Sequence, residues 1–414
     1  MRVLMLAQWY PPLVGGEELH VANLSAALVS RGHEVTVATL LQPGLPAEQI
    51  EGGVRVVRLR GTLQRVRGLF ADGARRSAAP IADPSLTLAI DGLARRFRPD
   101  LMHAHNWLVH AALPVRAARA IPLVQTLHDF SLVCATKVLL RRGATCSGPG
   151  PAKCLDCAAG HYGALKGAIT TISNWSDGWA QRRLVDAFIP VSQAVADGNR
   201  LAGLPHQVIP NFVPDNVPTM ADPGEYLARL PTAPFFLFVG AFGRLKGLEV
   251  LLDVYRSDPS LPPVVLIGYR MRETDELLGQ LPPNVFVLGE WPYAAVQAAW
   301  GLALAGILPS ICQEACPTVV IEAMRAGRPT VGAALGGTLD LIEDEKSGLL
   351  VEAGDREALH RALRRLADDG ELAPRLGRGA AARAGEFTAS AVVPRIEALY
   401  RAVQTDLRSE VERG

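Results

Sequence analysis

The sequence predicts an α/β protein built from two doubly wound, Rossmann-like domains, and three observations carry that expectation. Short, wholly apolar runs, at 3–7 and 235–239 for example, are each followed by a glycine-bearing loop and a stretch of helical period, as in parallel sheets buried on both faces. The 414 residues exceed what one core usually organises. A stretch at 211–234, rich in Pro and polar residues, separates the two alternating halves as a linker.

Composition narrows the partners. Hydrophobic residues make up 49% of the chain, enough for a full core in each half. Lys and Arg number 42 against 41 Asp and Glu, a formal charge of +1, so no global field draws nucleic acid and any partner is recognised locally. The opening MRVLMLAQWYPP has a short apolar run without a small-residue cleavage site and reads as a strand, not a signal peptide. No run approaches the roughly 20 apolar residues of a membrane span. The expected compartment is the cytosol, where the sequons at Asn23 and Asn174 are chance matches.

In the first half, residues 3–7 read as a strand, 17–30 as a helix with apolar spacing at Leu19, Val21, Leu24, Ala27 and Leu28, and 34–40 as the next strand. Gly15 and Gly16 open that helix, where glycines let a backbone approach a diphosphate closely; a plain structural turn is the alternative. Residues 54–59 form a further strand. Arg58, Arg60, Arg65, Arg67, Arg75 and Arg76 follow among apolar residues, a solvated basic face or, as the lesser option, a weak contact with anionic lipid on the inner face of the membrane. Strands at 100–104 and 122–127 flank a helix at 108–120. His128 and Asp129 stand at a strand's carboxyl end, where open α/β sheets place ligands, with a capping pair as the alternative. His103 and His105 shape an acceptor pocket or cap the next helix.

Cys134, Cys146, Cys154 and Cys157, four of the six cysteines, crowd one stretch at 130–160 with little hydrophobic period. In a cytosolic protein this points to thiolate ligands of a structural Zn²⁺, a cross-link that would order the loop; two disulfides or unligated thiols are the competing readings. A helix at 162–184, a strand at 187–190, a helix capped by Ser192 and a strand at 207–210 complete the half.

In the second half, the strand at 235–239 runs into GAFGRLKG and a helix at 248–255. Arg244 and Lys246 on that loop can neutralise a departing diphosphate, and the loop lacks the G-x-G-x-x-G of dinucleotide binders. Strands at 263–267 and 285–288, Gly289 with Glu290, a helix at 293–300 and a strand at 305–308 follow. Pro317 suits the first turn of a helix at 318–326 that Gly327 stops. The free amides of Cys316, Pro317's neighbour Thr318 and Val319 would favour a phosphate in front of them, with Glu314 and Glu322 flanking it. The plain alternative makes Glu322 a solvated helix residue and Glu314 a complement to the helix dipole. Amphipathic helices at 355–369 and 389–407 close the chain.

The string from 305 to 337, with Glu314, seven residues, Glu322, a glycine-bounded helix, a strand and Gly336-Gly337, resembles the donor-site signature of retaining GT-B glycosyltransferases of family 4. The resemblance spans nearly the whole chain. It implies domains at 1–213 for the acceptor and 214–388 for the donor, facing across a cleft, with a helix at 389–414 crossing back to the first. It implies a metal-independent hexosyltransferase moving a sugar from a nucleotide diphosphate, such as UDP, to an acceptor hydroxyl of a glycan, lipid or natural product. No cofactor is needed for catalysis. Residue by residue, Gly15 and Gly16 face the donor, His128 reaches the transferred sugar, Gly289 and Glu290 lie near the base, Glu322 holds the ribose and Glu314 the sugar hydroxyls. Lys246 stabilises the leaving diphosphate. The family's arginine stands five residues before that lysine, where this chain has Ala241, so Arg244 is a displaced substitute. Many relatives lack a four-cysteine insertion. A nucleotide-sugar epimerase of the same fold and a non-catalytic sugar-nucleotide binder are the other readings.

Overall fold

The computed structural model describes residues 1–413 other than 14, 66–76, 79, 217–219, 221 and 272–273, and gives backbone alone for 408 and 410–413. The chain divides into two compact units, Met1–Pro210 with Val392–Gly414, and Asn211–Ala391.

The first unit runs β1 (Arg2–Leu6), α1 (Gly16–Ser30), β2 (Glu34–Leu40), β3 (Glu48–Glu51), β4 (Val54–Leu59), α2 (Pro84–Phe97), β5 (Leu101–His105), α3 (Val109–Ala118) and β6 (Leu123–Leu127). There follow the short hairpin strands β7 (Leu140–Arg141) and β8 (Ala144–Thr145), then α4 (Pro151–Tyr162), α5 (Ala164–Leu184), β9 (Ala187–Pro190) and α6 (Gln193–Gly198). Its seven-stranded sheet has the order β3-β4-β2-β1-β5-β6-β9, parallel except for the β3–β4 pair. The chain moves outward from β1 to one edge and then restarts at β5 on β1's other side, so the switch point lies between β1 and β5.

The second unit runs α7 (Gly224–Leu227), β10 (Phe236–Val239), α8 (Leu248–Ser257), β11 (Val264–Ile267), α9 (Asp275–Leu278), β12 (Val285–Gly289), α10 (Tyr293–Trp300), β13 (Ala305–Leu308) and α11 (Thr318–Arg325). It continues with β14 (Thr330–Ala333), α12 (Thr338–Leu341), β15 (Gly348–Val351), α13 (Arg356–Asp368) and α14 (Leu372–Ala384). Its six strands order as β12-β11-β10-β13-β14-β15, with the switch between β10 and β13. Alternation explains the apolar runs: Phe236, Phe238, Val264 and Leu266 join a core with Leu251 and Leu252 of α8. Leu237, Val265 and Ile267 join another with Ala295, Ala299 and Trp300 of α10.

The last helix, α15 (Ala389–Arg413), belongs to the first unit from Val392 onward. Tyr400 donates or accepts at His103 Nδ1 (2.6 Å), and Glu397, 3% exposed, takes Arg31 Nε at 2.7 Å and His33 Nε2 at 2.9 Å. The Arg31 bond, helped by His33, holds the Glu397 carboxyl down to about 2 against the opposing effect of burial.

Several expectations need correction. Residues 207–210 form no strand; isolated backbone bonds from Gln207 and Ile209 tie them to β9. The stretch at 130–160 is not a structureless loop: Phe130, Leu132, Val133, Ala135 and Leu139 are buried, and α4 begins inside it. Arg58 does not belong to a solvated basic face, because it is 5% exposed and donates to the Pro46 carbonyl and Gln49. Arg67, Arg75 and Arg76 lie outside the described residues.

Candidate active site

In the second unit the loops after β10 and β13 meet at the switch point. Gly247 has φ +73, and a Cβ there would come 1.9 Å from the Pro309 carbonyl, so glycine lets the β10 loop lie on the β13 loop. The Ile311 amide bonds the Leu245 carbonyl at 3.0 Å and fastens the two. Lys246 Nζ then reaches both carboxylate oxygens of Glu314, at 2.7 and 2.8 Å, and Ser310 Oγ donates to Oε1 at 2.5 Å. Burial pushes the Lys246 ammonium down, but the charge and hydrogen bond of Glu314 outweigh it and raise it above its usual value.

Glu314 is positioned from the other side by the double glycine. Gly336 has φ +62 with its would-be Cβ 2.4 Å from the Glu314 carbonyl, and the Gly337 amide bonds that carbonyl at 2.6 Å. The glutamate and the distant Gly-Gly of the sequence pattern are therefore one latch. Between them α11 starts at Thr318 with extended Pro317 as its N-cap, one position earlier than the first helical turn, and no side chain caps it. Cys316 is buried, its carbonyl accepts from Asn211 Nδ2 at 3.1 Å, and burial pushes its thiol up to about 12.

Glu322 is 6% exposed, which corrects the solvated reading. Trp300 Nε1 donates to its Oε2 at 3.4 Å. Burial raises its carboxyl to about 7, with the Trp300 and Gln297 hydrogen bonds opposing. Arg244 bonds Glu249 at 2.6 Å on the surface, so Lys246 alone of the two cations holds Glu314. Gly289 ends β12 at φ +74 with Glu290 exposed beside it.

In the first unit Gly15 caps α1 in extended backbone, and a Cβ on Gly16 would meet nothing within 4 Å, so packing does not require that second glycine. Glu17 is hydrogen-bonded by Asn106 Nδ2; burial first and Glu18 second push its carboxyl up to about 8. Asn106 sits at φ +49 directly after β5, so this pair spans the first unit's switch point.

His128 stacks on His105, with Nε2 2.9 Å from His105 Nδ1, and meets the His20 ring edge-on at a centroid distance of 4.9 Å. His103 is bound on both nitrogens, by Tyr400 and by Thr126 Oγ1 at 2.7 Å. Burial, then neighbouring histidines, lowers His128 and His103 to about 3 and His20 and His105 well below the usual 6.5, so all four rings are neutral at pH 7. Among the described residues, His20, His105 and His128 form the group whose ligand atoms lie within 4.8 Å of one another; the four cysteine sulfurs do not form a second. Those sulfurs are neighbours all the same. Burial and then the charges of Cys134, Cys146 and Cys154 raise the Cys157 thiol.

Glu17, His20, Ser310 and Trp300 were not expected from the sequence. His20 and Glu17 fall on α1, whose apolar spacing gave them no role, whereas Ser310 stands four residues before Glu314 and was readable as a donor to that carboxylate.

Comparison with known proteins agrees with this architecture. Residues 14–217 match the family model Glycosyltransferase Family 4, and residues 227–383 match Glycosyl transferases group 1. A glycogen synthase of Mycobacterium tuberculosis is 28% identical over 413 residues, covering 92% of this chain and 90% of that protein. Sucrose-phosphate synthase of Thermosynechococcus elongatus superposes with TM-score 0.76 at 20% identity, covering 98% and 99%. Anabaena HepE in complex with UDP-glucose does so with TM-score 0.71 at 19% identity, covering 97% and 100%. With two family models spanning both units and GT-B enzymes superposing end to end, the chain belongs to the GT-B glycosyltransferases of family 4.

Proposed function

We propose that this glycosyltransferase takes its sugar from a nucleotide diphosphate and transfers it to an acceptor hydroxyl with retention of configuration. The observation that carries the reading is Lys246 bonded to Glu314 beside the uncapped start of α11. When a diphosphate occupies that place, the ammonium and the amides near Thr318 stabilise the charge that grows on its leaving oxygen. Glu314 is freed to accept from sugar hydroxyls, and Glu322 accepts from the ribose. HepE, which carries UDP-glucose in its solved complex, supports a UDP-sugar as the first donor to try.

Retention follows from attack on the face that the diphosphate leaves. The bond from the anomeric carbon to phosphate oxygen breaks as that to the acceptor oxygen forms, and the acceptor's proton passes to the departing phosphate. Neutral His128 then serves as a hydrogen-bonding partner for the sugar, and no side-chain nucleophile is needed.

Incubation with a panel of nucleotide sugars, followed by NMR of the released or transferred anomer, tests this. Slow donor hydrolysis with the donor's anomeric configuration is expected; inversion, or an altered epimer ratio in the recovered donor, would overturn it. Lys246→Ala should lower kcat by orders of magnitude, a loss of about 3 kcal/mol or more. A rise in KM alone would remove Lys246 from the leaving group.

We further propose that Cys134, Cys146, Cys154 and Cys157 hold one structural Zn²⁺. Support comes from the β7–β8 hairpin delivering Cys146 straight after β8 and from Cys154 and Cys157 standing one turn apart on α4. A metal there would neutralise the thiolate charge that now disfavours ionisation of Cys157.

A further inference from the structure

α5 is amphipathic the wrong way round. Its buried face is Gly167, Thr170, Thr171, Ser173, Asn174, Gly178 and Gln181, small or polar throughout. Close backbone approach explains the glycines: a Cβ at Gly167 would lie 2.5 Å from the Ala158 carbonyl of α4, and one at Gly178 would lie 2.8 Å from that of Leu132. The outward face carries Leu165 (77% exposed), Ile169 (56%), Ile172 (60%) and Trp179 (60%). These are spaced by four, three and seven residues, which keeps them on one stripe about 21 Å long along the helix. Placing the apolar side outward opposes the hydrophobic effect unless something covers it.

The charges say what. Lys166 and Arg183 border the stripe, the Arg183 guanidinium lying 3.9 Å from the centre of the Trp179 ring. The one carboxylate of α5, Asp177, is turned to buried His110 at 3.2 Å. From 137 to 183 the chain has seven Lys and Arg against two Asp; Lys137 pairs with Asp129 and Arg141 and Arg142 with Asp156, so the cations at the stripe are Lys166 and Arg183. A second copy of the same stripe would bring these cations against like charges. An anionic bilayer meets both the apolar face and the charge, with an aromatic ring at the depth Trp prefers. We infer that the outward stripe of α5 is a docking face for an anionic lipid surface, along which the helix lies flat. Among the described residues no helix is long and apolar enough to cross a membrane, so contact here is peripheral.

The test is sedimentation of the full chain with phosphatidylcholine vesicles, with and without phosphatidylglycerol. Binding is expected with the anionic lipid, weakening as salt rises, and brominated lipid should quench tryptophan emission in a way that Trp179→Phe abolishes. The pair Ile169→Ser and Ile172→Ser should weaken binding at least roughly tenfold, with circular dichroism unchanged. The charge pair Lys166→Glu and Arg183→Glu should do the same, and it decides the matter should the serine pair fail to fold. No binding by the wild type, equal binding to uncharged vesicles, or binding indifferent to both pairs would overturn the inference. So would self-association in sedimentation velocity, lost in the serine pair, with no vesicle binding; that outcome gives the stripe to a second copy.

Discussion

Glu322 shows how one residue's burial changes what its substitution should do. Because Trp300 Nε1 donates to it at 3.4 Å in a closed environment, Glu322→Ala leaves that donor unmatched and should cost about 1–3 kcal/mol of stability as well as donor affinity. Glu322→Gln keeps an acceptor and should fold normally. The carboxyl is raised from 4.5 to about 7 in the folded protein, so its contribution is greatest below pH 4.5 and is lost as pH rises toward 7. Denaturant melts at pH 5 and pH 8 should therefore show the wild type losing up to roughly 3 kcal/mol that the glutamine variant retains. Equal pH dependence in the two proteins would return Glu322 to solvent. Unchanged donor affinity in the alanine variant would remove it from the ribose.

At the level of elements, the Gly336–Glu314 latch makes a sharper demand than any side chain. Gly336→Ala combines a left-handed φ of +62 with a Cβ 2.4 Å from the Glu314 carbonyl, so the loop must move. The expected result is loss of donor binding in calorimetry with most secondary structure intact; full binding would show that the loop tolerates displacement. The cysteine segment has its own check. Metal analysis of protein purified under reducing conditions should give about one zinc per chain, lost in Cys154→Ser or Cys157→Ser, and metal-free active protein would end the idea. Elements of this kind were legible to different degrees. Strands such as 187–190 and 305–308 and the helix at 293–300 were read to the residue, because apolar runs buried on both faces leave little choice. Edge strand β3, EQIE, has no apolar pattern and is held by pairing with β4 alone, so nothing local announced it. The carboxylate pattern at 314 and 322 was visible, but the Lys246 bond to Glu314 was not, since it depends on two loops 68 residues apart meeting at a switch point.

Across the whole molecule, the titrating groups are unevenly shared. Buried His20, His103, His105 and His110 and half-buried His128 all lie in the first unit, each lowered from 6.5 chiefly by desolvation. Their stability is present above pH 6.5 and is lost as pH falls below it, because the unfolded chain takes up protons that these rings refuse in the folded protein. Glu17, raised to about 8, offsets one of them. Hydrogen exchange at pH 7 and pH 5, corrected for intrinsic rates, should show the first unit loosening on acidification while the second, through Glu322, tightens; parallel changes in both would contradict the assignment. The return of α15 has a consequence of another kind. The second unit, 211–391, is continuous, whereas the first lacks Glu397 and Tyr400 until residues that follow the second unit have been made. On the ribosome, then, the half that emerges first waits for the tail and the half that emerges second matures ahead of it, an order that protease challenge of nascent chains arrested before and after residue 400 would reveal.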